Sequence, residues 1–187
     1  MNKAQLYKAL DYVNHSREKR MEMAILVSKN PQLVDPLLEI AFNDTSLISS
    51  KACWVLEFTA KENLPFLFQY LDEFTANIAS LKLDSSVRPM AKICEYLTKA
   101  YFQKKDKKVI AALTEKHLEE IASACFDWLI GNHKVAAQAY SMTCLLLLGR
   151  KYDWIHPELK LMLEQNYANG SAAYKARARL TLAKIKG

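Results

Sequence analysis

KVAAQAYSMTCLLLLGR, residues 134–150, is the stretch on which the fold turns. Charged side chains bound it at Lys134 and Arg150, and no formal charge lies between them. Only fifteen residues separate the two charges, and Gln138, Ser141 and Thr143 interrupt them. A membrane-spanning helix needs about 20 consecutive apolar residues, so this run is too short to cross a bilayer. A helix that is apolar nearly all round and too short to span belongs in the middle of a packed core. The run therefore predicts a buried helix in an all-α protein, with no membrane partner.

The rest of the composition agrees with that reading. Of 187 residues, 51% are hydrophobic, enough for a sizeable core. Leu and Ala supply 49 residues, a helix-forming bias, and Gly and Pro together only nine. No sustained alternation of apolar and polar residues marks a strand. The length suits one domain or one short repeat array, and a single helical-repeat domain over 1–187 is expected.

Cys53, Cys94, Cys125 and Cys144 are far apart and form no CxxC pair. A structural zinc site would need close ligand pairs, and a secreted disulfide framework would be shorter and richer in cysteine. The expectation is buried free thiols in a reducing compartment, with no metal and no cofactor. MNKAQLYKALDYV at the start is charged and amphipathic, without the apolar core of a signal peptide. A cytoplasmic protein is expected.

The net charge of +6 is unevenly placed. Residues 1–94 carry eleven basic and eleven acidic side chains; residues 95–187 carry fifteen and nine. No acidic side chain follows Glu164, while Lys175, Arg177, Arg179, Lys184 and Lys186 do. Such an asymmetry attracts an acidic partner or nucleic acid, unless it is only a solvated helix.

Turn and cap signals divide the chain into about ten helices. Ser16, Asn30-Pro31, one of Asp44, Thr45 and Ser46, Asn63-Leu64-Pro65 and Asp84-Ser85-Ser86 are expected to open helices two to six. QKKDKKV, residues 103–109, reads as an exposed insertion followed by a short helical piece. A helix from His117 to Ile130 ends at Gly131-Asn132, and the apolar run follows. His156-Pro157 and Asn169-Gly170-Ser171 mark the last two.

The second helix of each pair shares a register. A small residue recurs at Ala24, Ala52, Ala91, Ala139 and Ala178, at intervals of 28, 39, 48 and 39 residues. Four positions earlier stand Arg20, Ile48, Val87, Val135 and Tyr174; three later stand Val27, Val55, Cys94, Met142 and Thr181. An Ala at a fixed helical position lets a neighbouring helix approach closely. This pattern resembles HEAT and armadillo-like helical repeats. The resemblance implies a right-handed α-α superhelix of about five antiparallel helical pairs, the first an atypical cap because Arg20 stands at an apolar position.

Enzyme signatures are few. SSVRPMAK, residues 85–92, resembles the SSxMPxKxN loop of the fumarase and adenylosuccinate lyase superfamily at Ser85, Ser86 and Pro89. Arg88 stands where Met is expected, Lys92 is one position late, and no Asn follows. Those enzymes are more than twice this length, so an N-cap role is expected for the serines. His15, His117, His133 and His156 lie apart, near expected helix ends, with no metal-ligand spacing. Asp127-Trp128 and Asp153-Trp154 are similar in composition alone to the aromatic and acidic residues of HEAT-like DNA glycosylases. Trp128 in the core and Trp154 over a repeat junction is the plainer expectation.

Repeats of this kind usually present their second helices on a concave face. Positions around the recurring Ala place Lys51, Arg88, Lys92, Gln138, Tyr140, Lys175, Arg177 and Arg179 on one candidate binding strip, and no residue in a catalytic role. The leading expectation is a non-catalytic module binding a protein or peptide. Nucleic-acid binding through the basic C-terminal half is the alternative, and a lyase-like enzyme stands third.

Overall fold

The structure, a computed structural model, describes residues 1–43, 45–131 and 133–185. Among these residues the regular structure is entirely helical, and no helix is long and apolar enough to cross a membrane. The sequence signals at Asp44, Asn132 and Lys186 lie outside the described residues. The chain divides into two compact units, Met1–Ile93 and Cys94–Gly187.

The first unit contains α1 (Lys3–Leu10), α2 (Arg17–Lys29), α3 (Val34–Asn43), α4 (Leu47–Glu62), α5 (Leu71–Ile78) and the start of α6 (Asp84–Phe102). Local chemistry sets several of these ends. Ser16 caps α2 by accepting from the Lys19 N–H, and Ser46 caps α4 by accepting from the Ser49 N–H. Two expected starts differ. The Asn30 side chain donates back to the Leu26 carbonyl at 2.8 Å, so it closes α2, and a short 3-10 turn (Pro31–Leu33) precedes α3. Likewise Leu64–Tyr70 is a 3-10 segment ahead of α5. Ser85 and Ser86 lie within α6 and do not cap it; their hydroxyls meet Ser50 Oγ at 2.7 and 3.0 Å.

The core of this unit is α4, against which α1, α2 and α3 pack. Every side chain from Ser49 to Ala60 is buried, including Lys51 and Glu57. Each buried charge has a partner. Lys51 Nζ donates to the Asp11 carbonyl at 2.8 Å and to Asp11 Oδ1 at 3.0 Å. Arg88 donates to both Glu57 oxygens, at 2.6 and 3.4 Å. The Trp54 indole N–H donates to the Ser85 carbonyl at 2.8 Å.

Arg20, the irregular member of the register, lies with its guanidinium 4.4 Å from the Trp54 ring and 5.9 Å from Phe58. Its Nε donates to the Asn14 carbonyl at 3.1 Å. The guanidinium thus fills a register position that Ile48, Val87, Val135 and Tyr174 take on the other helices, with a cation–π gain of about 0.5–2 kcal/mol. Burial, and then the nearby Arg88, lower its pKa from the ordinary value.

The second unit contains the rest of α6, then α7 (Lys107–Ala112), α8 (Glu115–Ile130), α9 (Val135–Leu148), α10 (Ile155–Tyr167) and α11 (Ala172–Ile185). The apolar run is α9, and it packs against α8, α10 and α11. The Gln103–Lys108 stretch is exposed, as its charges require, and Asp106 caps α7 through the Lys108 N–H. α8 starts two residues before His117, because Thr114 and His117 form a reciprocal capping box. Glu or Gln usually takes the His117 position, so the sequence hides this start. Trp128 is buried, whereas Trp154 is exposed and stacks on Phe126 at 5.6 Å.

Of the recurring alanines, Ala24, Ala52, Ala91 and Ala178 are buried. Ala139 is half-buried, and Ala137 takes the fully buried place on α9. Val27, Val55, Cys94, Met142 and Thr181, three positions later, are all buried. The register therefore marks the packed side of α2, α4, α6 and α11, and on α9 it does so only at Met142.

The end of α9 is closed by His156, whose Nε2 lies 3.0 Å from the Leu146 carbonyl. Its ring sits where a side chain at Gly149 would be, 2.0 Å from an added Cβ. Gly149→Ala must push the ring off its hydrogen bond, and is expected to destabilise the protein by about 1–3 kcal/mol in urea denaturation. The loss should shrink in a His156→Ala background. An unchanged midpoint for Gly149→Ala would show that the ring does not hold this corner.

Candidate interaction site

Ion pairing separates the predicted strip into two groups. In the first unit, Lys51 and Arg88 are held by Asp11 and Glu57, so their charges serve α4. Lys92, half-buried, also has an interacting neighbour, as does Tyr140 in the second unit. Lys175, Arg177 and Arg179 on α11 make no side-chain ion pair or hydrogen bond with another described residue. Lys184 likewise has no such partner among the described residues.

The cations of α11 do not form one strip. Successive helical residues turn by about 100°, so Arg177 and Arg179 point some 200° apart. Arg177 shares its side with Lys184, seven residues on, and Arg179 shares the other with Lys175. Buried Tyr174, Ala178 and Thr181 divide the two sides.

Each side opens on a different cavity. Arg177 and Lys184 line one of about 260 Å³, with Lys99 and Gln103 from the α6 end and Leu146, Leu147 and Leu180 as its apolar wall. Lys99 reaches the buried Glu95 carboxylate at 2.8 Å. Thr143 and Thr181 also line it, but their hydroxyls donate to the carbonyls of Ala139 and Arg177. They present only acceptor oxygen inward, and the cations and Gln103 supply the donors. Arg179 lines a wider, mainly apolar depression of about 530 Å³ with Tyr167 and Leu182.

Gln138 is half-buried and belongs to a third cavity, of about 340 Å³, with His133, Asn166 and Tyr174. The Tyr174 hydroxyl is enclosed beside Asn166 without a hydrogen bond of good geometry, and burial raises its pKa. In the first unit, Lys51, Lys19, His15 and Trp54 line a cavity of about 330 Å³.

Sequence reasoning counted Lys184 among the basic C-terminal residues but left it off the strip, and it gave Lys99 and Gln103 no site role. Lys184 was detectable as the helical neighbour of Arg177 at seven residues' spacing. Lys99 and Gln103 lie some 75 residues earlier, and only the packed structure brings them to the same cavity.

All four cysteines are buried and unbridged. Thr98 Oγ1 lies 3.6 Å from Cys144 Sγ, and Cys144 in turn neighbours Cys94 and Cys125. Burial pushes the Cys94 and Cys125 thiols well above their ordinary range, which keeps them protonated and poorly nucleophilic. Among the described residues no group of three or more His, Cys, Asp or Glu side chains could hold a metal ion. Comparisons with protein families, curated proteins and solved structures found no match to this chain.

Alkylation should report this burial directly. Brief iodoacetamide treatment of the folded protein is expected to leave the intact mass unchanged, and treatment in concentrated urea to add four adducts. Rapid modification of the folded chain would contradict the packing around these thiols.

Proposed function

We propose that this chain is a non-catalytic helical-repeat interaction module of the HEAT or armadillo kind, and that Arg177, Lys184 and Lys99 receive an acidic segment of a protein partner. The right-handed superhelix of five antiparallel pairs is part of this proposal. It is supported within each unit by the packing of second helices on one another, α2 on α4 and α9 on α11. A cytoplasmic location accords with four unbridged cysteines.

The observation that carries the reading is that Arg177 and Lys184 have no side-chain partner among the described residues, beside a cavity that Lys99 also lines. Surface ion pairs add only about 0–1 kcal/mol each, so folding does not require these cations. Brought together they repel one another, and an acidic partner relieves that repulsion. The attraction is screened over about 8–10 Å at ordinary ionic strength, so binding must weaken with salt.

The test is a fluorescence titration of the full chain with a labelled twelve-residue Glu/Ala peptide and its Gln/Ala counterpart. Selective, salt-weakened binding of the acidic peptide is expected. Arg177→Glu plus Lys184→Glu should reduce it by about tenfold or more, the effect expected of losing one or two charge-assisted hydrogen bonds. Lys175→Glu plus Arg179→Glu makes the same change in net charge on the opposite side and should reduce it less. No binding of the acidic peptide overturns the proposal. Tighter binding of a duplex or single-stranded oligonucleotide, with a steep salt dependence, favours the nucleic-acid reading instead.

A further inference from the structure

The charges around the 260 Å³ cavity do not balance, and the size of the imbalance selects a ligand. Three elements supply its walls. α6 brings Lys99 together with its partner Glu95, and α11 brings Arg177 and Lys184. α9 brings no charge at all, because none lies between Lys134 and Arg150. Among the described residues the lining holds three cations and no carboxylate, and with Lys99 paired to Glu95 outside it, a surplus of two positive charges is left.

Neutralising that surplus takes more than one carboxylate, which carries a single negative charge. A phosphate monoester carries about −1.5 to −2 at pH 7, with three acceptor oxygens. The available donors match it: a planar guanidinium fork, two ammonium groups and the Gln103 amide. The apolar wall has a use as well. Leu146 and Leu147 are buried and Leu180 is more than half exposed, so the carbon body of a phosphorylated side chain can rest on leucine while its phosphate meets the cations.

We infer that this cavity is a seat for a phosphorylated side chain of a partner peptide. The inference rests on the interaction-module reading and narrows its ligand. Phosphorylation of the partner would then switch the interaction on through the charge of one residue. Arg177 and Lys184 act as the anion-binding pair, and Glu95 sets the position of Lys99.

The experiment uses the full chain and degenerate peptide pools with a fixed central phosphotyrosine, phosphoserine, tyrosine, serine or glutamate, read by fluorescence anisotropy. At least one phosphorylated pool is expected to bind about tenfold tighter than both its unphosphorylated form and the glutamate pool, the gain of one or two added charge-assisted hydrogen bonds. Arg177→Gln plus Lys184→Gln should remove that preference, and Lys175→Gln plus Arg179→Gln should keep it. Phenyl phosphate at millimolar concentration should compete, which places the contact at the phosphate itself. Equal binding of phosphorylated and glutamate pools overturns the inference and leaves the acidic-partner reading standing. No binding by any pool, the glutamate pool included, overturns both. Displacement of the phosphopeptide by a lower concentration of oligonucleotide, dependent on Arg177 and Lys184, assigns the cavity to nucleic-acid phosphates and overturns the peptide.

Discussion

A helix with no solvent-facing side must find a partner inside the protein for every polar group it carries. α4 is such a helix, buried without interruption from Ser49 to Ala60. Removing the partner of a buried charge is costly because the charge left behind has lost its hydration. That constraint organises the first unit. Asp11 is held at the end of α1 by Lys51, and the first turns of α6 by Glu57, Trp54 and Ser50. Arg20 follows from the same enclosure, since a guanidinium stacked on Trp54 keeps its charge while covering apolar surface.

The second unit meets the constraint differently. α9 carries no charge, and its hydroxyls turn back on its own backbone: Ser141 donates to the Ala137 carbonyl at 3.0 Å and Thr143 to the Ala139 carbonyl at 3.1 Å. The charges of this unit are therefore left to its other helices. Among the described residues no carboxylate lines the cavity beside α9, and the nearby Glu95 is held by Lys99. The contrast is useful: a paired cation on α4 or α6 of the first unit explains itself as structure, while Arg177 and Lys184 find no side-chain partner among the described residues.

Much of this architecture was legible in the sequence. The length and apolarity of residues 134–150 predicted the buried helix, and Ser16 and Ser46 cap as their positions suggested. The Ala register marks the packed side of four of its five helices, because small residues are needed where helices approach closely, and on α9 Ala137 takes that place from Ala139. The site was less legible. The strip assumed that one register position has one environment in every repeat, yet Lys51 is enclosed where Arg177 is not. Unbroken burial of α4 from Ser49 to Ala60 cannot be read from its pattern, because a Lys is ordinarily a sign of solvent. The strip also joined Arg177 to Arg179, which helical geometry alone sends to opposite sides. The partnership of Lys99 with Lys184 depends on packing between distant segments, which no local pattern records.

The central claim is that charge pairing distinguishes structural cations from the recognition site. Side-chain Nε–Hε NMR signals of the arginines test it most directly, recorded on the full chain during a titration with phenyl phosphate. The account predicts that the Arg177 signal shifts saturably while those of Arg20 and Arg88 stay in place. Saturable shifts at Arg88 or Arg20, with Arg177 unmoved, would contradict it.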